Sequence, residues 1–156
     1  MNTDKHGLRH SEITDKIIKV FFEVYNELGP GFLESVYERS LEIALNSLGL
    51  KVCRQIEIPV WFRGQRVGDF TADMLVEDCV LLELKAARAL DSSHQAQLLN
   101  YLRATEIEVG LLLNFGLKPE FKRLLFDNPR KNIRRSPAIS AADLLIADDE
   151  AAMPRP

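Results

Sequence analysis

The 156-residue chain has only two cysteines, Cys53 and Cys79, far apart and without His or Cys companions at ligand spacing. A disulfide scaffold or a zinc site is therefore not expected, and two buried free thiols are. Nowhere does an apolar stretch approach the ~20 residues that cross a bilayer. The opening segment MNTDKHGLRHSEITDK is polar and has no apolar run like that of a signal peptide, so a cytoplasmic protein without a membrane partner is expected. Charge of one sign is lacking too. A formal net charge of −3 does not fit a protein that coats nucleic acid non-specifically. No internal repeat is present, and the length suits one domain with a real core.

The charge is unevenly placed. Residues 118–135 carry Lys118, Lys122, Arg123, Arg130, Lys131, Arg134 and Arg135 against Glu120 and Asp127. Such a segment could follow a phosphate backbone, or could simply be a solvated helix end and tail. The chain then turns acidic at Asp143, Asp148, Asp149 and Glu150.

Apolar residues at Ile13, Ile17, Val20, Phe21, Val24, Tyr25 and Leu28 predict a helix over 12–28, ended by Gly29-Pro30-Gly31. A second helix is expected over 33–48. Alternation in QIEIPVWF predicts a strand over 55–62, with Pro59 pointing to a sheet edge. Strands follow at 67–76 and 79–85, close enough to form an antiparallel hairpin. A helix over 92–104, with Asp91, Ser92 or Ser93 as N-cap, leads to a buried strand at 109–115. Residues 119–126 read as a short closing helix. The expected architecture is α/β, with a four-stranded mixed sheet flanked by helices in a domain over 1–126. Residues 127–156 are expected to be a poorly ordered extension, with one helical piece at 141–146.

The third strand carries the chemistry. Cys79-Val80-Leu81-Leu82 is apolar throughout, yet Glu83 and Lys85 follow, two apart and thus on one side. Burying either charge alone costs roughly several kcal/mol unless it is paired or binds a metal. Across the hairpin Asp73 lies among Phe70, Ala72, Met74, Leu75 and Val76. Two carboxylates and an ammonium in one patch suit Mg²⁺ or Mn²⁺. An ordinary Glu83–Lys85 salt bridge with a solvated Asp73 is the competing reading. On the next helix Gln97 and Tyr101 share a face, and His94 lies on it too. They could bind water, phosphate or a base, or serve as core and cap. Glu34 and Tyr37, three apart on the second helix, could reach the same pocket, although the helix dipole alone would favour Glu34 in the first turn.

With these residues laid out, the chain resembles the GxxExxY family of the PD-(D/E)XK nuclease superfamily. The name-giving motif stands as Gly31-x-x-Glu34-x-x-Tyr37, followed in order by Asp73 to Glu83-Leu84-Lys85, AQLLNYL at 96–102 and GLLLNFG at 110–116. Gln97-x-x-x-Tyr101 is similar to the QxxxY element of RecB-like nucleases. The resemblance implies a restriction-endonuclease-like core, metal at Asp73 and Glu83, and Lys85 as catalytic lysine. It also implies Gln97 and Tyr101 beside the centre and Glu34 as an early-helix acidic residue. Ala72 replaces the superfamily's Pro, which shapes the strand and does no chemistry. The expected activity is metal-dependent hydrolysis of nucleic-acid phosphodiester bonds, DNA before RNA. Asp73, Glu83, the Leu84 carbonyl and Glu34 are the expected ligands of Mg²⁺ or Mn²⁺. Tyr37, His94, Lys118, Lys122 and Arg123 are the expected substrate contacts. The alternatives are a catalytically silent nucleic-acid-binding or regulatory module on the same fold, and a homo-oligomeric surface on helices 12–48.

Overall fold

Helical spacing of Ile17, Val20, Phe21 and Val24 buries one face of α1 (Ser11–Leu28). The helix stops at Gly29, whose φ of 72° suits a residue without Cβ and whose N–H closes the last turn on the Tyr25 carbonyl. In the computed structural model, which describes residues 10–130, α2 (Glu34–Ser47) follows and buries Tyr37, Glu38, Leu41 and Leu45. The basic residues Lys131, Arg134 and Arg135, the acidic stretch and the helix expected at 141–146 lie outside the described residues.

The sheet has five strands in the order β1 (Val52–Phe62), β2 (Gln65–Val76), β3 (Val80–Lys85), β4 (Val109–Phe115), β5 (Pro119–Leu125). β1, β2 and β3 form an antiparallel meander, as the short connections require. β3 and β4 are parallel, joined through α3 (Ser92–Arg103). Pro59 sits on β1, an edge strand of the sheet, where a residue without an N–H is tolerated.

The fifth strand corrects the expected four-stranded sheet. Residues 119–125 are not a closing helix; they pair antiparallel with β4 along its whole length. Phe121, Leu124 and Leu125 have helical spacing, which explains the misreading. β4, however, is buried at every position, and its outer edge needs a partner for its N–H and C=O groups. Leu125 then packs on one face of the sheet and Leu124 on the other. α1 and α2 cover the first face, sharing a core with Met74, Leu82, Leu84 and Phe115. α3 covers the second, with Leu98, Tyr101 and Leu102 against Leu75, Leu81 and Leu112. The result is a mixed sheet flanked by helices.

The segment that carries the chain from β3 to α3 is held by β4. Asn114 is fully buried, and its carboxamide pairs with both main-chain groups of Ala87, accepting from the N–H at 2.9 Å and donating to the carbonyl at 3.0 Å. Glu120 Oε1 accepts the Leu90 N–H at 3.1 Å. Gly116 lies so close beneath that a Cβ there would sit 1.8 Å from the Ala87 carbonyl oxygen. Gly116→Ala is therefore expected to cost about 1–3 kcal/mol, read as a lower urea midpoint at unchanged m-value. Gly68→Ala, which meets nothing within 4 Å, should stay within about 0.5 kcal/mol of the parent. Equal midpoints for the two variants would contradict the packing described.

Candidate active site

The β2–β3 ladder runs Val76↔Val80, Leu75↔Leu81, Met74↔Leu82 and ends there. One step further, Asp73 faces Glu83, and side chains replace the main-chain ladder. Asp73 Oδ2 accepts the Leu84 N–H at 2.7 Å. The Leu84 side chain points into the core beneath α1 and α2, so Glu83 and Lys85, its neighbours along the strand, face α3. Lys85 Nζ donates to Gln97 Oε1 at 2.8 Å and stands 3.8 Å from Glu83 Oε2. Gln97 Nε2 in turn donates to the Tyr101 hydroxyl at 2.8 Å. The four-residue spacing on α3 thus builds a chain from ammonium to amide to phenol.

Burial dominates the electrostatics. It pushes the Asp73 carboxyl up to about 6; the Leu84 N–H works against this, while Glu38 and Glu34 add to it. Glu83 is pushed up to about 8, first by burial and then by Asp73, with Lys85 opposing. Tyr101 rises to about 12 through burial and the nearby Glu83, so its phenol stays neutral. Glu83 is 4% exposed, and its Oε1 is buried without a hydrogen-bond partner. Two carboxylates that resist ionising together, one with an unsatisfied oxygen, are what a hard cation would relieve. The residues present therefore fit a divalent metal.

The remaining expected site residues are placed less uniformly. Glu34 does not join as a third carboxylate: it is exposed, and its Oε2 accepts the Ala86 N–H at 3.3 Å from the α2 side of the sheet. Among the described residues no three His, Cys, Asp or Glu side chains form a metal-holding group. Tyr37 is not available to substrate. It is fully buried, stacked 4.4 Å from Phe115, and its hydroxyl donates to the Gly29 carbonyl at 2.5 Å, which holds the Gly29-Pro30-Gly31 turn. His94 belongs to the α3 cap: its Nδ1 accepts the Asp91 N–H at 3.1 Å, while Asp91 accepts from the Ser93 and His94 N–H groups. The basic cluster is divided by the strand that replaced the expected helix. Arg123 is turned toward α1, where burial lowers its pKa and Asp15 opposes this. Lys122 points to the other face, level with Glu83 but two strands away. Lys118 is exposed in the β4–β5 turn.

Four residues went unread in the sequence. Glu38 is buried one turn after Glu34, and its place on the inner stripe with Leu41 and Leu45 was the available signal. Asn114 was the one polar residue in an otherwise apolar strand. Gly116 was read only as the end of the GLLLNFG run, and Gln55 gave no local signal.

The carboxylates make a metal-free stability prediction. Both folded pKa values lie above the ordinary values of 3.8 and 4.5, so the folded state holds more protons than the unfolded state between those values and about 8. In chelator, stability should be greatest below about pH 4 with respect to these two groups and fall as pH rises toward 8. Urea midpoints across pH 5–8 check this; Glu83→Gln should flatten the slope. A slope of opposite sign, unchanged by Glu83→Gln, would refute the assignment.

A family model described as the PD-(D/E)XK nuclease superfamily matches residues 11–124. Among solved structures, the crystal structure of SSO0001 is similar at 18% identity and a TM-score of 0.47. That match covers 74% of this chain and 55% of the other, so the chain spans about half the length of that protein. No curated protein matches the chain. No helix among the described residues is long and apolar enough to cross a membrane. The family match takes in every strand-borne site residue and well over half of the chain, and the chain belongs to the PD-(D/E)XK nuclease superfamily.

Proposed function

We propose that this chain is a divalent-metal-dependent nuclease of the GxxExxY family, hydrolysing phosphodiester bonds of nucleic acid with DNA as its preferred substrate. The observation that carries the reading is the buried, unpartnered Glu83 Oε1 beside the Asp73 carboxylate. An oxygen of that kind is costly unless something outside the chain satisfies it. Asp73, Glu83 and the Leu84 carbonyl would hold Mg²⁺ or Mn²⁺, with Glu34 close enough to be felt electrostatically by both carboxylates. When bound, such an ion supplies Lewis acidity toward a phosphoryl oxygen and toward water.

The chain's own groups do the rest. Lys85 has three N–H donors; Gln97 takes one and Glu83 attracts another. A further N–H can then be directed at the attacking water or a phosphoryl oxygen, where a fixed positive charge favours the developing negative charge. Gln97 holds the ammonium in place because its own amide is oriented by Tyr101. Apolar neighbours on β2, β3 and α3 keep bulk water away and strengthen each of these interactions. Lys118 and Lys122, both exposed, are available to a nucleic-acid backbone.

Single-stranded, duplex and branched DNA, and RNA, should be incubated with the protein in Mg²⁺, Mn²⁺ or chelator. Cleavage of DNA should require the metal and fall at least about 100-fold in Lys85→Ala and in Asp73→Asn. Identical traces for the parent and both variants on every substrate would end the proposal.

A further inference from the structure

We propose that Gln55 is a positioning residue for Asp73, and that its left-handed backbone, pinned by Glu38, turns the β1–β2 hairpin over at the level of the site. The proposal rests on the reading of Asp73 as a site residue.

The register states the problem. Arg54 pairs with Met74 and Ile56 with Ala72, so by count Gln55 lies opposite Asp73, with no residue inserted on either strand. In a regular strand Arg54 and Ile56 would share a face, as would Met74 and Ala72. They do not. Arg54 reaches Glu38 and Glu42 on α2, whereas Ile56 belongs to the core beneath α3. Met74 packs beneath α1 and α2, and Ala72 beneath α3. Both strands therefore change faces at one level, that of Gln55 and Asp73. Before the switch the hairpin alternates regularly, with Val52, Met74 and Val76 toward α1 and α2 and Cys53 and Leu75 toward α3; beyond it Ile56, Ile58, Phe70 and Ala72 all pack on the α3 side. Asp73 stands at the changeover, where its carboxylate takes the Leu84 N–H.

The backbone that absorbs the change is Gln55, with φ of 54°. Residues other than glycine adopt this conformation rarely, and it persists only where the surroundings impose it. Here they do. Gln55 Nε2 donates to both oxygens of Glu38, at 3.1 and 3.0 Å, and Arg54 Nη1 donates to the same carboxylate at 2.9 Å. Glu38 is 7% exposed, a buried charge neutralised by Arg54 and otherwise without a task in the proposed reaction. α2 thus grips β1 through Glu38 and meets the end of β3 through Glu34 and the Ala86 N–H. Asp73 lies on the strand between.

A purely structural tie between α2 and β1 would depend on the Gln55 carboxamide and not on the backbone conformation. Three variants of the full chain separate the two: Gln55→Gly, which adopts the left-handed conformation freely; Gln55→Asn, which tolerates it; and Gln55→Val, which resists it. Hydrogen exchange at the Leu84 amide, compared with Leu82, reads the Asp73 contact without metal; Mn²⁺ titration reads the site. We expect Gly and Asn to stay within about threefold of the parent in both. Val should lose at least about tenfold protection at Leu84 with Leu82 unchanged, and its Mn²⁺ Kd should rise about 10–100-fold. Unchanged Leu84 protection in Val, or an equal loss in Gly and Val, would overturn the proposal. A parent protein that binds no Mn²⁺ would count against the metal reading alone, because Leu84 exchange still decides the positioning.

Discussion

Glu83, near the end of the otherwise apolar β3, and Asp73, on the neighbouring β2, are taken out of water together, and the rest of the molecule is arranged around that cost. Burial is the largest influence on both carboxyls; Asp73 adds to the resistance of Glu83 to ionisation, and Glu38 and Glu34 add to that of Asp73. Lys85 compensates only in part, at 3.8 Å from Glu83. A buried pair of this kind, with one oxygen left unsatisfied, is a poor way to stabilise a fold and a good way to hold a cation.

Three supports converge on that point from different directions. From one face α2 supplies Glu34 and Glu38, which fasten the chain beyond β3 and the middle of β1. From the other, α3 presents Gln97 and Tyr101, which hold the Lys85 ammonium. Beside β3, Asn114 on β4 and Gly116 just past it seat Ala87 and so fix the path from Lys85 into α3. A site assembled from short strand segments depends on such second contacts for its precision, because the strands themselves define only direction and register.

Much of this was legible in the sequence, for identifiable reasons. Helical periodicity located α1, α2 and α3, and the apolar run of β4 matched its bounds because a strand buried on both faces has no competing pattern. The two-residue spacing of Glu83 and Lys85 correctly put them on one face. β5 was missed because Phe121, Leu124 and Leu125 also satisfy a helix, and only the open edge of β4 decides against it. Tyr37 and His94 were drawn into the site by their neighbours in sequence, although their polar atoms are consumed by a turn and a helix cap. The face switch at Gln55 and Asp73 has no local signature, since it arises between two strands and a helix.

The most direct test of the central claim is a calorimetric titration of the purified protein with Mn²⁺ between pH 6 and 8, without nucleic acid. The account predicts stoichiometric binding that tightens as pH rises, with proton release on binding, and its loss in both Asp73→Asn and Glu83→Gln. Binding that ignores those two substitutions, or no binding at all, would contradict it.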